Sequence, residues 1–440
     1  MKNNQKILNA WASYDWANSV YNLAITAVIF PIYYAGVTET AFHGTVVQFF
    51  GMSIKGSVLY AYAIALSFLI AAIISPLLSG IADFGGKKKL MMQIFTYMGA
   101  TACAGLYFFV GKNIEWGIVC ALLASLGFSG AIVFYNSYLP DIATEDKYDS
   151  VSAKGYSMGF LGSVLQLIIC LILIEYLGAN YKSYDFANVG EAKLYAVRLS
   201  FLCVTIWWVG FAQIAFIYLP TAVAKGTNQT GLFRKGFTEL QKVWKALQTM
   251  PNTLLFLCAF FFYCMGAQSI FLLATLFGSN ELKLGQEKLI PTILALQLVG
   301  ILGAYVFAYL SKRKGNKFAL LCILFFWLVL GIYGYSVTTE TQFYIMAVTF
   351  GVAMGGYHLS RSTYAKLIPQ NTPDTTSYFS FYDVVEKLAT AMGPFLYGLI
   401  ESLTGSMRNS ILALSVYFLI AIILLAFVQI PRTNYENAQK

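Results

Sequence analysis

Apolar runs of about 20 residues recur along the whole 440-residue chain, and a run of that length crosses the hydrocarbon core of a bilayer as a helix. Twelve are placed, at roughly 10–34, 58–82, 90–110, 116–139, 156–178, 197–220, 252–278, 288–310, 318–337, 342–364, 379–401 and 409–430. Barrel strands would be short and alternating, so the continuity of these runs selects helices. Charged residues make up only 11% of the chain and hydrophobic ones 58%, which excludes an ordinary soluble domain. The first run is too long for a signal peptide, and no small-residue cleavage site follows it. It is expected to persist as a span.

The net charge of +9 is sorted by side of the membrane. With a cytoplasmic N-terminus and alternating spans, 20 of the 29 Lys and Arg residues fall on the cytoplasmic side, eight face outward, and Lys387 lies within a span. This asymmetry places both termini in the cytoplasm and argues against a nucleic-acid partner. The seven cysteines (Cys103, Cys120, Cys170, Cys203, Cys258, Cys264 and Cys322) all fall in predicted spans without ligand-like spacing. They read as small core residues, and no disulfide, metal site or cofactor is expected.

The first span carries Asp15, Asn18, Asn22 and Thr26 among apolar neighbours. At about 100° per residue these four occupy one quarter of the helix circumference. A carboxylate facing lipid costs roughly 2.5–3.5 kcal/mol, so this face turns toward protein or water. It either lines a pathway or joins helices through its amides. Ser125, Ser129 and Asn136 share a face of span four. Span eleven holds Asp383, Glu386 and Lys387; Asp383 and Lys387 are spaced to pair along one face, and Glu386 points toward another helix. That cluster either reads substrate charge and couples protons, or contains a static ion pair. Gln268 in span seven and His358 and Arg361 in span ten are further candidates; His358 is titrating or structural, Arg361 gating or topogenic. Gln166 follows Gly155, Gly159 and Gly162 on one face of span five, a spacing suited to close helix packing.

The longest connection, residues 221–250, divides the chain into six spans (1–220) and six spans (251–440). Within it Phe233, Phe237, Leu240, Trp244 and Leu247 recur at helical spacing between Arg234, Lys235, Lys242 and Lys245. This predicts an interfacial helix with its apolar face in the lipid boundary. An offset of 229 residues superposes Gly86 on Gly315 and Pro140 on Pro369, the mark of a parallel duplication.

The loop after span two, with Asp83, Gly86, Lys87 and Lys88, resembles the signature loop of the major facilitator superfamily. Ser79 stands at its small-residue position, Phe84 replaces its usual basic residue, and the second half has Lys312 in place of the Asp. A closer resemblance runs through Tyr14-Asp15-Trp16-Ala17-Asn18-Ser19, Phe30-Pro31-Ile32-Tyr33, Leu139-Pro140-Asp141-Ile142-Ala143, Ser152-Ala153-Lys154-Gly155-Tyr156, Ser360-Arg361-Ser362, Leu367-Ile368-Pro369 and Gly393-Pro394. These stretches are similar to the family containing the vacuolar amino-acid effluxers of fungi and their bacterial relatives. The resemblance implies an all-α multi-pass membrane protein of twelve helices in two six-helix bundles, with spans one, four, seven and ten lining a central cavity.

The candidate substrate and coupling residues are Asp15, Asn18, Asn22, Asn136, Gln166, Gln268, His358, Asp383, Glu386 and Lys387, and the gating candidates are Asp83, Gly86, Lys87, Lys88 and Arg361. A monomeric secondary transporter in the plasma membrane, or alternatively the vacuolar membrane, is expected. Its partners would be a small solute, the lipid bilayer and, as one candidate coupling ion, protons. A drug or metabolite antiporter is the alternative substrate class. An integral-membrane enzyme or a receptor is the competing class, but with only His43 and His358 as histidines no catalytic constellation stands out.

Overall fold

The structure, a computed structural model, describes residues 2–44, 46–221 and 232–430. Among the described residues twelve helical rods make up the two halves, with a linker helix between the sixth and seventh. They are α1 Gln5–Phe42, α2 Gly56–Gly85, α3 Lys88–Gly105, α4 Ile114–Ser137, α5 Tyr148–Ala179 and α6 Val189–Tyr218, then α7 Pro251–Asn280, α8 Gln286–Lys314, α9 Asn316–Ser336, α10, α11 Thr375–Thr404 and α12 Met407–Phe427. The tenth, α10, runs over Glu340–Gly355 and resumes as His358–Leu367. Among the described residues nine are long and apolar enough to cross a membrane by length and composition; the others are α3, the broken α10, and α11, which carries Asp383, Glu386 and Lys387 in its first half. Large apolar side chains such as Ile206, Ile217 and Phe427 stand exposed on the outer surface, where a bilayer would solvate them.

Each half is held by contacts such as α3 with α4 and α1 with α5 in the first, and α8 with α10 and α9 with α12 in the second. The halves meet where α2 lies along α11 and α5 along α8. A glycine at positive φ closes the second helix of each half. Gly86 closes α2 at φ +64° and Gly315 closes α8 at φ +88°, the left-handed region a Cβ opposes. These two turns, the chain's start and the helix after residue 231 share one end of the bundle, called here the basic end.

Three local features depart from the sequence expectation. First, α1 widens over Tyr21–Ile29 into a π-helix, closing i→i+5 hydrogen bonds. Pro31 follows directly; it cannot donate to Ala27, and its ring crowds that carbonyl, which favours a wider turn. The polar stripe therefore loses its 100° phase beyond Tyr21: Asn18 is buried, while Asn22 and Thr26 are half-buried. Second, a hairpin pairs Val46–Phe49 with Met52–Lys55 through Phe50 and Gly51, both at positive φ as tight hairpin turns require. Third, Cys258 is exposed on the outer surface rather than buried in the core, and all seven cysteines are free.

The linker helix, Leu232–Gln248, corrects the interfacial expectation. Its buried stripe is Gly236, Val243 and Leu247, seated on protein. Gly236 meets Gly80 of α2 backbone to backbone: a Cβ on Gly80 would stand 2.2 Å from the Gly236 carbonyl oxygen. Trp244 packs at a tilt against Phe381 of α11 with ring centres 5.3 Å apart, and Lys242 lies 3.9 Å from Asp374. The helix thus spans both halves at the basic end, and of its described apolar side chains Phe237 and Trp244 are the exposed ones. Phe233's side chain, residues 222–231 and the chain beyond 430 lie outside the described residues. Replacing Gly236 with Leu should overpack this seat and cost about 1–3 kcal/mol. Thermal melting of the purified variant checks it, and an unchanged midpoint would show that the helix is not seated on α2.

Candidate substrate and gating site

The centre of the interface between the halves is built around Arg361, six residues before the end of α10 and 2% exposed. All of its hydrogen-bond partners come from the other half. Nε donates to Ser152 Oγ at 2.9 Å, Nη1 to Asn136 Oδ1 at 3.0 Å, and Nη2 to the Ser152 carbonyl at 3.2 Å. The Asp15 carboxylate stands 3.6 Å from Nη1 and accepts from the Tyr135 hydroxyl at 2.6 Å. Trp11, Tyr135 and Tyr156 place their rings around the guanidinium at 4.6, 5.3 and 4.7 Å. Gly155 makes the approach possible, because a Cβ there would stand 2.6 Å from Asp15 Oδ2 and 3.2 Å from Arg361 Nη2. The topogenic reading of Arg361 is therefore wrong: it is buried and enclosed.

A second group lies on α11. Lys387 pairs with Asp383 along the helix and donates to the Ser129 carbonyl of α4 at 3.2 Å. Glu386 looks the other way and accepts from the Tyr357 hydroxyl at 3.1 Å. Tyr357 occupies the break in α10, where Gly355 and Gly356 let α8 and α9 approach closely. The same break leaves the Gly355 carbonyl free to bond His358 Nδ1 at 2.8 Å, while His358 Nε2 is buried without a partner.

The basic end carries two further contacts between halves. Asp83 accepts from the backbone N–H groups of Thr376 at 3.2 Å and Ser377 at 2.7 Å, at the start of α11. Lys88 is buried rather than solvated, bonding Asp141 at 2.6 Å and Thr375 Oγ1 at 2.8 Å, whereas Lys87 is half-buried after the Gly86 turn. In the second copy the acid comes from the opposite helix: Asp149 of α5 accepts from Ser311 at 2.7 Å, Asn316 at 2.8 Å and Lys366 at 2.8 Å.

Not every sequence candidate joins these groups. Gln166 is buried and turns to Cys170 of its own helix. Gln268 is half-buried on α7 and no hydrogen bond is described for it; Asn18 Oδ1 is buried without a partner. Lys387 is held by Asp383 rather than converging on Asp15 and Asn136. An apolar cavity of about 40 Å³ between Leu296, Phe350, Ile411 and Leu414 lies wholly inside the second half, away from these charges.

The comparisons agree with this architecture. Residues 3–438 match the family described as vacuole effluxer Atg22 like. The chain belongs to that family. It is 30% identical over 432 residues to the uncharacterised MFS-type transporter YxiO of Bacillus subtilis, covering 97% of this chain and 96% of that one. It is 22% identical over 478 residues to autophagy-related protein 22 of Yarrowia lipolytica, covering 89% and 79%. The fold is similar to the major facilitator transporter FucP in its outward conformation, with TM-score 0.72 at 12% identity over 96% of this chain and 99% of that one. It is similar also to the human organic anion transporter MFSD10, with TM-score 0.67 at 12% identity over 97% and 100%. This Atg22-like chain is a multi-pass membrane transporter of the major facilitator type and not an enzyme.

Polarity alone missed Trp11, Tyr135, Ser152, Tyr156 and Tyr357. A usable signal was present for one of them: Trp11 sits one turn before Asp15 and so extends a polar face already marked, whereas Tyr135 lies about 100° round the helix from Asn136. Removing one member of a buried pair leaves an uncompensated charge, worth about 3–5 kcal/mol. Arg361→Met should destabilise the carrier by that order, and adding Asp15→Asn should recover part of it. Denaturation of both variants tests the coupling; simply additive losses would refute it.

Proposed function

We propose that this chain exports an amino acid, or a related small zwitterion, by alternating access, with proton coupling through Asp15. The observation that carries the reading is the placement of Arg361: one half supplies the cation, and the other supplies every hydrogen-bond partner it has. Parting the halves at the basic end must withdraw Arg361 from Asp15. Asp15, with its side chain 13% exposed against 2% for Arg361, then faces the opening as a carboxylate without its cation. In a poorly solvated site, taking up a proton is the least costly remedy. The amino-acid class comes from the family resemblance and from the presence of both charge signs at the interface. The charge asymmetry supports a cytoplasmic position for the basic end. The plasma membrane is the proposed location because the bacterial relative matches the full length, with the vacuolar membrane as the alternative raised by the family description.

In this scheme Asp83 is a latch. A carboxylate at a helix N-terminus contributes roughly 0.3–1 kcal/mol, up to about 2 when partly buried. Losing about 1.4 kcal/mol shifts a two-state ratio roughly tenfold. Asp83→Asn should therefore populate the state open at the basic end, and spin-label distances across that end measure it. Unchanged distributions would remove the latch. The transport reading itself is tested in proteoliposomes. Wild-type protein should drive amino-acid accumulation from an imposed pH gradient, while Asp15→Asn should retain exchange and lose gradient-driven accumulation. Absence of any amino-acid flux in the wild type would overturn the substrate class.

A further inference from the structure

We propose that Glu386 is the receptor for the ammonium group of the transported solute, with the rings of Tyr156 and Tyr357 as its wall. The inference rests on the amino-acid reading for the solute's identity and on the balance of charge inside the bundle for its chemistry. Asp15 faces Arg361, Asp141 faces Lys88, Asp149 faces Lys366 and Asp383 faces Lys387. Asp83 is met by two backbone N–H groups at a helix start. Among the described residues Glu386 has no cation within ion-pair reach; its described hydrogen bond is from a neutral phenol, that of Tyr357. A hydroxyl orients a carboxylate but cannot cancel its charge. Eleven residues into α11, and therefore about 16 Å from its start, an unmatched carboxylate invites a cation from outside.

The surroundings suit an organic cation. Glu386 is half-buried, whereas Asp383 and Lys387 on the same helix are buried. The Tyr156 ring is also half-buried; its centre lies 6.5 Å from that of Tyr357 and 6.2 Å from that of Phe160, which stands edge-on. Aromatic faces attract ammonium groups, most strongly where water is scarce. A divalent metal ion would need several oxygen ligands, and no metal-binding cluster of His, Cys, Asp and Glu occurs among the described residues. The fixed cations nearby are already engaged: Arg361 with Asn136, Ser152 and Asp15, and Lys387 with Asp383 and Ser129. Tyr156 touches Arg361 on one side and Tyr357 on the other, so a solute seated on Glu386 would sit beside the ring that covers Arg361.

The test uses purified full-length carrier with three probes: free L-amino acids, their N-acetyl derivatives, and simple primary alkylamines. Binding is read by thermal shift and exchange by counterflow in liposomes. Free amino acids should stabilise the wild type and the N-acetyl forms should not. Glu386→Gln should weaken amino-acid binding more than about a hundredfold, the size expected when a desolvated charge loses its partner. Tyr156→Leu should weaken it roughly tenfold. An unliganded melting point close to wild type shows that each variant is folded. Glu386→Gln that binds amino acids normally but loses pH-driven accumulation would overturn the proposal and make Glu386 a proton carrier. N-acetyl forms that bind as well as free amino acids would overturn it too. A wild type that responds to alkylamines through Glu386 but not to amino acids would keep the subsite and discard the amino-acid reading.

Discussion

A buried guanidinium from one half, enclosed by the other, is the constraint around which the interface is organised. Moving Arg361 out of water is costly by several kcal/mol, and the interior returns that cost only with good geometry and satisfied donors. The structure meets those terms with two side-chain oxygens, a backbone carbonyl, a carboxylate and three aromatic faces. Because these partners belong to α1, α4 and α5 while Arg361 belongs to α10, the same interaction that seals the interface opposes its opening. A carrier needs this kind of contact, strong when closed and replaceable when open.

Such close charge placement depends on what is missing from neighbouring positions. Gly155 lets α5 approach Asp15 and Arg361, and Gly159 brings it against Ser19 of α1, where a Cβ would stand 2.6 Å from Ser19 Oγ. Within a membrane, helices associate through packing and polar contact rather than by expelling water from apolar surfaces. Small residues therefore set where a polar side chain on one helix can meet its partner on the next. The break in α10 serves a related purpose: it frees the Gly355 carbonyl for His358 and turns Tyr357 toward Glu386.

The fold was legible in the sequence because bilayer thickness imposes a length on every span, and the Gly86 and Gly315 turns both take a positive φ that suits glycine. The pairing of Asp383 with Lys387 was legible for a similar reason, since i,i+4 neighbours meet on any helix. The site as a whole was less so. Arg361 reads as one more basic residue near a membrane edge until α1, α4 and α5 are placed around it. The wide turn in α1 left no periodic trace, and a fixed 100° step carries Asn22 and Thr26 onto the wrong phase. The linker helix was misplaced because hydrophobic spacing finds Phe237 and Trp244. Its protein-facing contact instead runs through Gly236, a residue that hydrophobicity overlooks.

The two halves also show how a duplicated contact diverges. At the end of α2 the acid, Asp83, sits on the helix that approaches, and the start of α11 offers backbone N–H groups. At the corresponding end of α8 the position holds Lys312, and the acid has moved to the opposite element as Asp149, at the start of α5. An acid in the first turn satisfies its own helix dipole, so α8 needs to supply only the Ser311 hydroxyl. The exchange changes the physics of the contact. Asp83 makes a charge–dipole contact of about 2 kcal/mol at most, whereas Asp149 is a buried anion whose cation, Lys366, belongs to the other half. Separating α5 from α8 strands that charge, while separating α2 from α11 exposes only a helix end and a carboxylate that water can solvate. The same fold thus joins its halves at the basic end by one contact that parts at low cost and one that does not.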